Sequence, residues 1–454
     1  MEWEIIQSRL MHLIDNNRRS ELRGALLMLN VVDIAQLMKE LDGQKVLMLF
    51  RILPKDISAE VFAYMDSDQQ EQLIGLIGDS EIRSLLDEMF LDDAVDTLEE
   101  LPANVVKRVL KSVRPDKRAL INQFLQYPDY TAGSIMTIEF VEFHSDYNVR
   151  QAMNTLKRTG LDKETVYTCY VIDRQRKLMG SVALRHLIMA DDETPITEVM
   201  DAAIISVHTL DDRELVADTV RKYDLISIPV VDNESRLVGI VTIDDVVDVI
   251  EEENTEDLEK MNALLPSEDE YLKTSVWRLA WNRLPWLLFL MVTATLTGFI
   301  ITYYEDVLLQ AGAIGVALTA CIPILMGTGG NAGSQASTLM IRGLALGEVE
   351  LKDIPRILWR EIRVGVMLGA VLGLVNFLRM IWLNGLDSLT ALIVALSLFL
   401  TVILAKAIGC TLPMIAKRIK LDPALMASPM ITTLVDACSL MIMFGLASRF
   451  LPIA

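Results

Sequence analysis

Leu389-Thr-Ala-Leu-Ile-Val-Ala-Leu-Ser-Leu-Phe-Leu-Thr-Val-Ile-Leu-Ala-Lys-Ala-Ile-Gly-Cys-Thr-Leu-Pro-Met-Ile-Ala416 contains a single charged residue, Lys406. A helix needs about 20 apolar residues to cross a hydrocarbon core, and this stretch exceeds that length. Four more segments read the same way: Leu284–Tyr304, Leu308–Gly327 with an apolar continuation to Leu346, Val364–Leu383 and Ala424–Leu451. Residues 1–275 are instead densely charged. That division reconciles a formal charge of −20 over 454 residues with a positive mean hydropathy. The length fits two or three soluble modules followed by a membrane domain with five spans.

Basic residues set the expected orientation. Arg278 and Arg283 precede the first span, and Arg342, Lys352, Arg356, Arg360 and Arg363 follow the second. Lys417, Arg418 and Lys420 follow the fourth. The intervening connections at Tyr303–Gln310 and Asn384–Ser388 carry no base. The alternation places the soluble half in the cytoplasm and the C-terminus outside. Met1–Leu29 has charges spread through an amphipathic pattern and no cleavable export signal, which agrees. The four cysteines lack zinc spacing and read as buried, reduced thiols, while the four histidines are scattered and receive no metal role. A net acidic soluble half argues against nucleic acid and anionic lipid as partners and favours cations.

Two features of the spans are costly unless they serve a function. Asp436 lies mid-span in Ile431-Thr-Thr-Leu-Val-Asp-Ala437. A carboxylate at that depth costs about 3 kcal/mol, so it should face a water-filled path or a partner. Thr432 and Thr433 lie one turn earlier, and Pro429 frees a carbonyl in the turn before them. The competing reading is an intramembrane ion pair with Lys406. The second feature is Pro323-Ile-Leu-Met-Gly-Thr-Gly-Gly-Asn-Ala-Gly-Ser-Gln335, whose glycines are expected to break the helix and line a cavity. Asn331, Ser334 and Gln335 would then offer neutral oxygens to a hydrated ion. The alternative is a seam where helices pack closely through glycine.

In the soluble half, residues 131–250 repeat. Met136-Thr, Tyr170-Val-Ile-Asp173 and Leu178-Met-Gly-Ser-Val182 are echoed by Met200-Asp, Pro229-Val-Val-Asp232 and Leu237-Val-Gly-Ile-Val241. Each copy implies a small α/β unit. Residues 1–130 read as short amphipathic helices broken at Leu53-Pro and Leu101-Pro, a pattern that suits a superhelix. There, Asp92 and Asp96 share a helix face. From Asp211 to Glu270 the chain has 19 acidic against 5 basic residues. Asp245, Asp248 and Glu252 share one face of an expected continuous helix, and Glu253, Glu256 and Asp257 share another. Such runs are commonly just solvated faces. Packing several of them together requires divalent counter-ions, because like charges 4 Å apart repel by about 1 kcal/mol even in water. Carboxylate oxygens suit Mg²⁺ and Ca²⁺.

The repeat resembles a tandem pair of CBS domains. The whole order, with the glycine stretch and the Asp436 context, resembles the MgtE magnesium-channel family over essentially the full chain. The resemblance implies a homodimer in the inner cell membrane. It implies an all-α helical N domain over 1–130, CBS domains over 131–250, an acidic connecting helix over 251–275 and a channel domain over 276–454. It assigns Asp436 to a hydrated Mg²⁺ in the pore; Thr432, Thr433 and Asn331 join it as candidate pore residues from their own positions, read above. It assigns regulatory Mg²⁺ to Asp92 and Asp96, to Asp212, Asp224, Asp245 and Asp248, to Glu253, Glu256 and Asp257, and to Asp422. It also allows ATP in the CBS region. Two other functions stay open: a carrier for Mn²⁺ or Co²⁺ on the same scaffold, and a membrane-anchored ligand sensor. No nucleophile–base pair or P-loop suggests an enzyme.

Overall fold

The computed structural model describes residues 2–16, 18–267, 271–272, 274–426 and 428–451. It divides into two units, 1–250 and 251–454.

The first unit begins with short helices, from Glu2–Asp15 to Pro115–Phe124. Asn30, Asp42 and Asp66 cap three of them by accepting from the backbone N–H groups of Val32, of Gln44 and Lys45, and of Gln69. Each such cap contributes about 1 kcal/mol. Pro54 and Pro102 stand at helix starts, where their missing N–H costs nothing. Helices this short are marginal alone. They gain stability by packing on the helix two places along, Val31–Lys39 on Lys55–Ala63 and Asp79–Glu88 on Ala103–Ser112. Arg108 ties the array further, donating to the carbonyls of Ile74 and Ile77 and pairing with Asp79.

Two three-stranded sheets follow. β1 (Glu142–His144) pairs parallel with β2 (Thr168–Ile172), which pairs antiparallel with β3 (Leu178–Ala183). β4 (Val207–His208), β5 (Ser227–Val231) and β6 (Leu237–Thr242) repeat that order. The hairpin turns are built alike. Asp173 accepts from the N–H groups of Gln175 and Lys177, and Asp232 from those of Glu234 and Arg236.

The copies also exchange segments. Thr137, which leads the first copy, forms a bridge with Ile240 of the second, and Asp201, which leads the second, forms one with Ser181 of the first. Those crossings explain the glycine in each copy. A Cβ on Gly239 would lie 2.6 Å from Met136 Sδ and 2.9 Å from the Thr137 carbonyl. One on Gly180 would lie 2.6 Å from the Asp201 carbonyl. Gly239→Ala is therefore expected to cost about 1–3 kcal/mol by overpacking. Gly75→Ala, in an open helical position, is expected to be neutral or stabilising by up to about 1 kcal/mol. Thermal unfolding of the two variants checks the contrast.

The helix Ile243–Met261 carries the acidic run as one continuous element. It ends at Met261, so the expected connecting helix is helical over only its first part. Glu268, Asp269 and Glu270 of that run lie outside the described residues.

Among its described residues the second unit has five helices long and apolar enough to cross a membrane: Val276–Tyr303, Ala313–Ala345, Leu351–Trp382, Ser388–Arg418 and Pro423–Phe450. They are called the first to fifth spans below. The first span has no buried residue and touches the fifth. The second, fourth and fifth pack closely together, and the third packs on the fourth.

The expected helix break at the glycine stretch is not present. Ala313–Ala345 is continuous, and its glycines make a packing seam. A Cβ on Gly329 would lie 2.7 Å from Thr401 Cγ2 and 2.9 Å from Val435 Cγ1, and one on Gly330 2.7 Å from Thr432 Cγ2. A Cβ on Gly409 would overlap the Gly333 carbonyl. Gly365, Gly369 and Gly373 of the third span likewise meet Ile403, Phe399 and Ala395 of the fourth. Between apolar helices in lipid, close backbone approach supplies the attraction that burial supplies in water. Glycine is used here for contact, and the i→i−4 ladder survives.

Candidate ion path and acidic clusters

Asp436 is half-buried on the fifth span, and its Oδ1 is buried without a hydrogen-bond partner. Lys406 is buried on the fourth span, where its Cβ lies 3.6 Å from the place a Cβ on Gly365 would take. It therefore packs toward the third span, and among the described residues no ion pair joins it to Asp436. The carboxylate is left without the cation that would explain it structurally. An orphaned carboxylate oxygen in an apolar setting costs several kcal/mol unless water or cargo reaches it.

The hydroxyls beside Asp436 are engaged in different ways. Thr433 Oγ1 donates back to the Pro429 carbonyl at 3.0 Å, and Pro429 stands in the first turn of the helix Ser428–Phe450, where its missing N–H leaves no gap in the ladder. Thr432 seats its methyl group against Gly330. Ser439 Oγ donates to the Asp436 carbonyl at 2.8 Å. Asn331 stands exposed on the second span. Cys438 is half-buried two residues after Asp436, about half a turn round the helix, and so lies on another face. Cys169, Cys321 and Cys410 are buried, and all four cysteines are free thiols.

Several polar groups within the spans escaped the sequence reading, buried Glu361 of the third span among them. Thr401 Oγ1 and Ser337 Oγ are buried without partners. Arg379 of the third span donates to Asn376 Oδ1 at 3.1 and 3.2 Å. A hydroxyl inside an apolar run gives no sequence signal, because threonine and serine are ordinary in membrane helices.

The first unit gathers a dense set of acids. Burial, then Asp93, Asp245 and Glu164 nearby, raises the Asp92 carboxyl well above the usual range. Burial and neighbouring acids push Asp93 and Asp245 up to about 6 and Glu164 to about 7. Asp96 is pushed to about 8 by its crowded setting and by Asp245, Glu99 and Asp93. It keeps exposed surface, so water tempers its shift most. Thr242 donates its hydroxyl to Asp245 at 2.6 Å, and Glu164 Oε2 is buried with no partner. Lys117, a base that interacts with Asp92 and Asp93, donates its hydrogen bonds to the Leu86 and Met89 carbonyls.

The structure thus brings Asp92 and Asp96 together with Asp245, across more than a hundred residues of sequence. Asp248 joins Asp93 and Asp244 around Tyr64. Asp93, Glu164 and Glu139, which neighbours Asp93, were not singled out by the sequence, and Asp244 was read only as part of the acidic run and not as a site residue. Asp93 and Asp244 could have been read from the Asp-Asp pairs they form, whereas nothing local marked Glu164. Asp212 and Asp224 have local roles: Asp212 caps the helix Arg213–Tyr223, and Asp224 ends it in a left-handed conformation with φ of 52°.

In the second unit, Glu253, Glu256, Asp257 and Asp422 cluster around one base. Lys260 Nζ lies 2.6 Å from Glu256 and 2.8 Å from Asp422. Burial, then Asp422, pushes Asp257 up to about 6. Among the described residues, no three His, Cys, Asp or Glu side chains stand close enough to hold a bare metal ion.

These features define a class: a multi-pass membrane protein with an orphaned intramembrane carboxylate and an acid-rich first unit. Three family models match the chain. They are a divalent cation transporter domain over residues 322–446, an MgtE intracellular N domain over 29–130 and a CBS domain over 196–252. The magnesium transporter MgtE of Thermus thermophilus is 35% identical over 95% of this chain and 95% of its own length. That of Bacillus subtilis is 32% identical over 99% and 98%. The chain belongs to the MgtE family. The first unit is similar to the crystal structure of the soluble part of a magnesium transporter, with TM-score 0.53 and 35% identity, covering 55% of this chain and 99% of that one. It is also similar to the cytosolic domain of the Mg²⁺ channel MgtE in complex with ATP, with TM-score 0.51 and 34% identity, covering 54% and 99%.

Proposed function

We propose that this chain is a Mg²⁺-selective channel, homodimeric in the cell membrane, that imports Mg²⁺ down its electrochemical gradient. The carrying observation is the Asp436 carboxylate, whose buried oxygen has no hydrogen-bond partner among the described residues, on the helix whose Thr432 and Val435 pack on the glycine seam. Two such carboxylates, one per subunit, would hold a hydrated divalent ion through its water shell, which Mg²⁺ sheds reluctantly. A divalent ion moving inward gains about 4.6 kcal/mol per 100 mV, twice the single-charge value. The basic residues support a cytoplasmic soluble half and an outside C-terminus. The modules follow the boundaries 1–130, 131–250, 251–275 and 276–454.

Cytoplasmic Mg²⁺ closes the path by bridging acids that otherwise repel one another. Asp92, Asp93, Asp96, Glu164 and Asp245 form one such set, and Glu253, Glu256, Asp257 and Asp422 another. Among the described residues no three of these acids stand close enough to hold a bare ion, so this reading requires either a hydrated ion or a further closing of the acids around one. Asp212 and Asp224 belong to the sensor only through the family resemblance. Replacing Glu253 and Glu256 by Gln and Asp257 by Asn is expected to raise the half-closing Mg²⁺ concentration about ten-fold or more. Flux into vesicles at graded Mg²⁺ on the soluble side measures it, and an unchanged half-closing concentration sinks the sensor reading.

Mn²⁺ is the second cargo to test, because carboxylate and water ligands accept it as well. Competition between Mg²⁺ and Mn²⁺ for flux decides between them. ATP is a further proposal, supported by the ATP-bound relative. A cavity of about 720 Å³ in the first unit is rimmed by Lys163, Arg176 and Arg236. Its arginines are already paired with Glu142 and Asp232, so its charge does not single out a triphosphate.

A further inference from the structure

The acids of the second unit include a cation of their own. Lys260 closes the last turn of Ile243–Met261, and its ammonium is shared between Glu256, one turn back, and Asp422, just before the fifth span. Both placements are favourable. A Glu four residues before a Lys is the stabilising order on a helix, and a cation near the C-terminus complements the helix dipole. The three side chains are 22%, 27% and 31% exposed, so the pairs are less screened than surface ion pairs. Asp422 is fixed in turn, since its Oδ1 accepts from the Ala424 N–H at 2.8 Å. Glu253 and Asp257 complete the set.

We propose that Lys260 is a tethered counter-ion that occupies part of the Glu256–Asp422 junction and competes there with divalent cations. This rests on the reading above that these acids sense Mg²⁺. An ammonium on a flexible stem is always present at high local concentration, so it holds the junction together when divalent ions are scarce. It also sets how much Mg²⁺ is needed to displace or supplement it. Lys260 thereby tunes the threshold of the sensor without being a ligand.

The test compares Lys260→Met and Lys260→Arg in the full-length protein. Removing a unit positive charge about 5 Å from a divalent ion should tighten its binding about ten-fold. Mn²⁺ binding followed by electron paramagnetic resonance should therefore show a tighter class of sites in Lys260→Met. The half-closing Mg²⁺ concentration for flux should fall with it. Lys260→Arg keeps the charge and should stay near the parent protein in both measurements. Unchanged or weaker Mn²⁺ binding in a Lys260→Met protein that unfolds at the parent temperature overturns the proposal. If Lys260→Met lowers that unfolding temperature, the Arg variant decides: tighter Mn²⁺ binding there, with the charge retained, overturns it too. The variant with Glu253, Glu256 and Asp257 neutralised separates the two readings. If it closes normally, the sensor reading fails. If it loses closure while Lys260→Met changes nothing, only the role of Lys260 fails.

Discussion

Asp436→Ala is expected to reduce Mg²⁺ flux at least thirty-fold while leaving the protein folded. A carboxylate about 5 Å from a divalent ion, at an effective dielectric constant of about 20, attracts it by about 7 kcal/mol. Even a third of that corresponds to roughly forty-fold in occupancy. Asp436→Asn separates charge from shape, because it keeps the volume and should lose nearly as much flux. Neither change breaks a hydrogen bond of Oδ1, since among the described residues that oxygen has no hydrogen-bond partner. Folding should therefore be unharmed or slightly improved. Flux into vesicles, with thermal unfolding as the control, measures both. Unchanged flux and selectivity in Asp436→Ala would refute the pore assignment.

A linked dependence on pH and Mg²⁺ is expected from the acids of the first unit. Burial first and neighbouring acids second raise Asp93 and Asp245 to about 6 and Glu164 to about 7; Asp96, raised to about 8 by the same causes, keeps exposed surface, so water tempers its share. Their unfolded values lie near 4. Between about pH 4 and 8 the folded unit therefore holds protons that the unfolded chain has released. The sign follows from linkage: unfolding free energy falls as pH rises through that window. The contribution is full below about pH 4 and gone above about pH 8. Mg²⁺ must displace these protons to bind, so its stabilisation grows in the opposite direction. Unfolding temperature with and without Mg²⁺ should differ by several degrees at pH 8 and by much less at pH 6. For a unit of this size, each kcal/mol shifts the midpoint by about 2–4 °C. Replacing Asp93, Asp96 and Asp245 together by Asn should stabilise the metal-free protein at pH 8 and abolish the Mg²⁺ effect. A Mg²⁺ shift that is equal at both pH values would count against this cluster as the sensor.

Much of this architecture is legible in the chain. Span length, the repeat over 131–250 and the turn chemistry of Asp173 and Asp232 depend on residues close in sequence. So does the continuity of the acidic helix up to Met261. The glycine stretch shows where local reading fails. Four glycines in seven residues look like a broken helix by propensity. Whether the ladder breaks depends on what lies opposite, and Thr401, Ile431, Thr432 and Val435 lie there to be packed against. Lys406 offers the same lesson. Its depth in the fourth span suggested a partner for Asp436, but its direction is set by helix rotation, which turns it toward Gly365.

What the sequence determined by itself is that a carboxylate sits deep in the last span and that a soluble, acid-rich half precedes the membrane helices. Periodicity, apolar run length and charge are properties of neighbours along the chain. The tertiary structure alone decided which acids meet. Asp92 reaches Asp245 because stacked helices and a segment-exchanged pair of sheets bring distant turns together. Lys260 reaches Asp422 because a helix end returns to the foot of the fifth span. It also decided that, among the described residues, Asp436 has no counter-ion, since pairing is a matter of distance and direction in space.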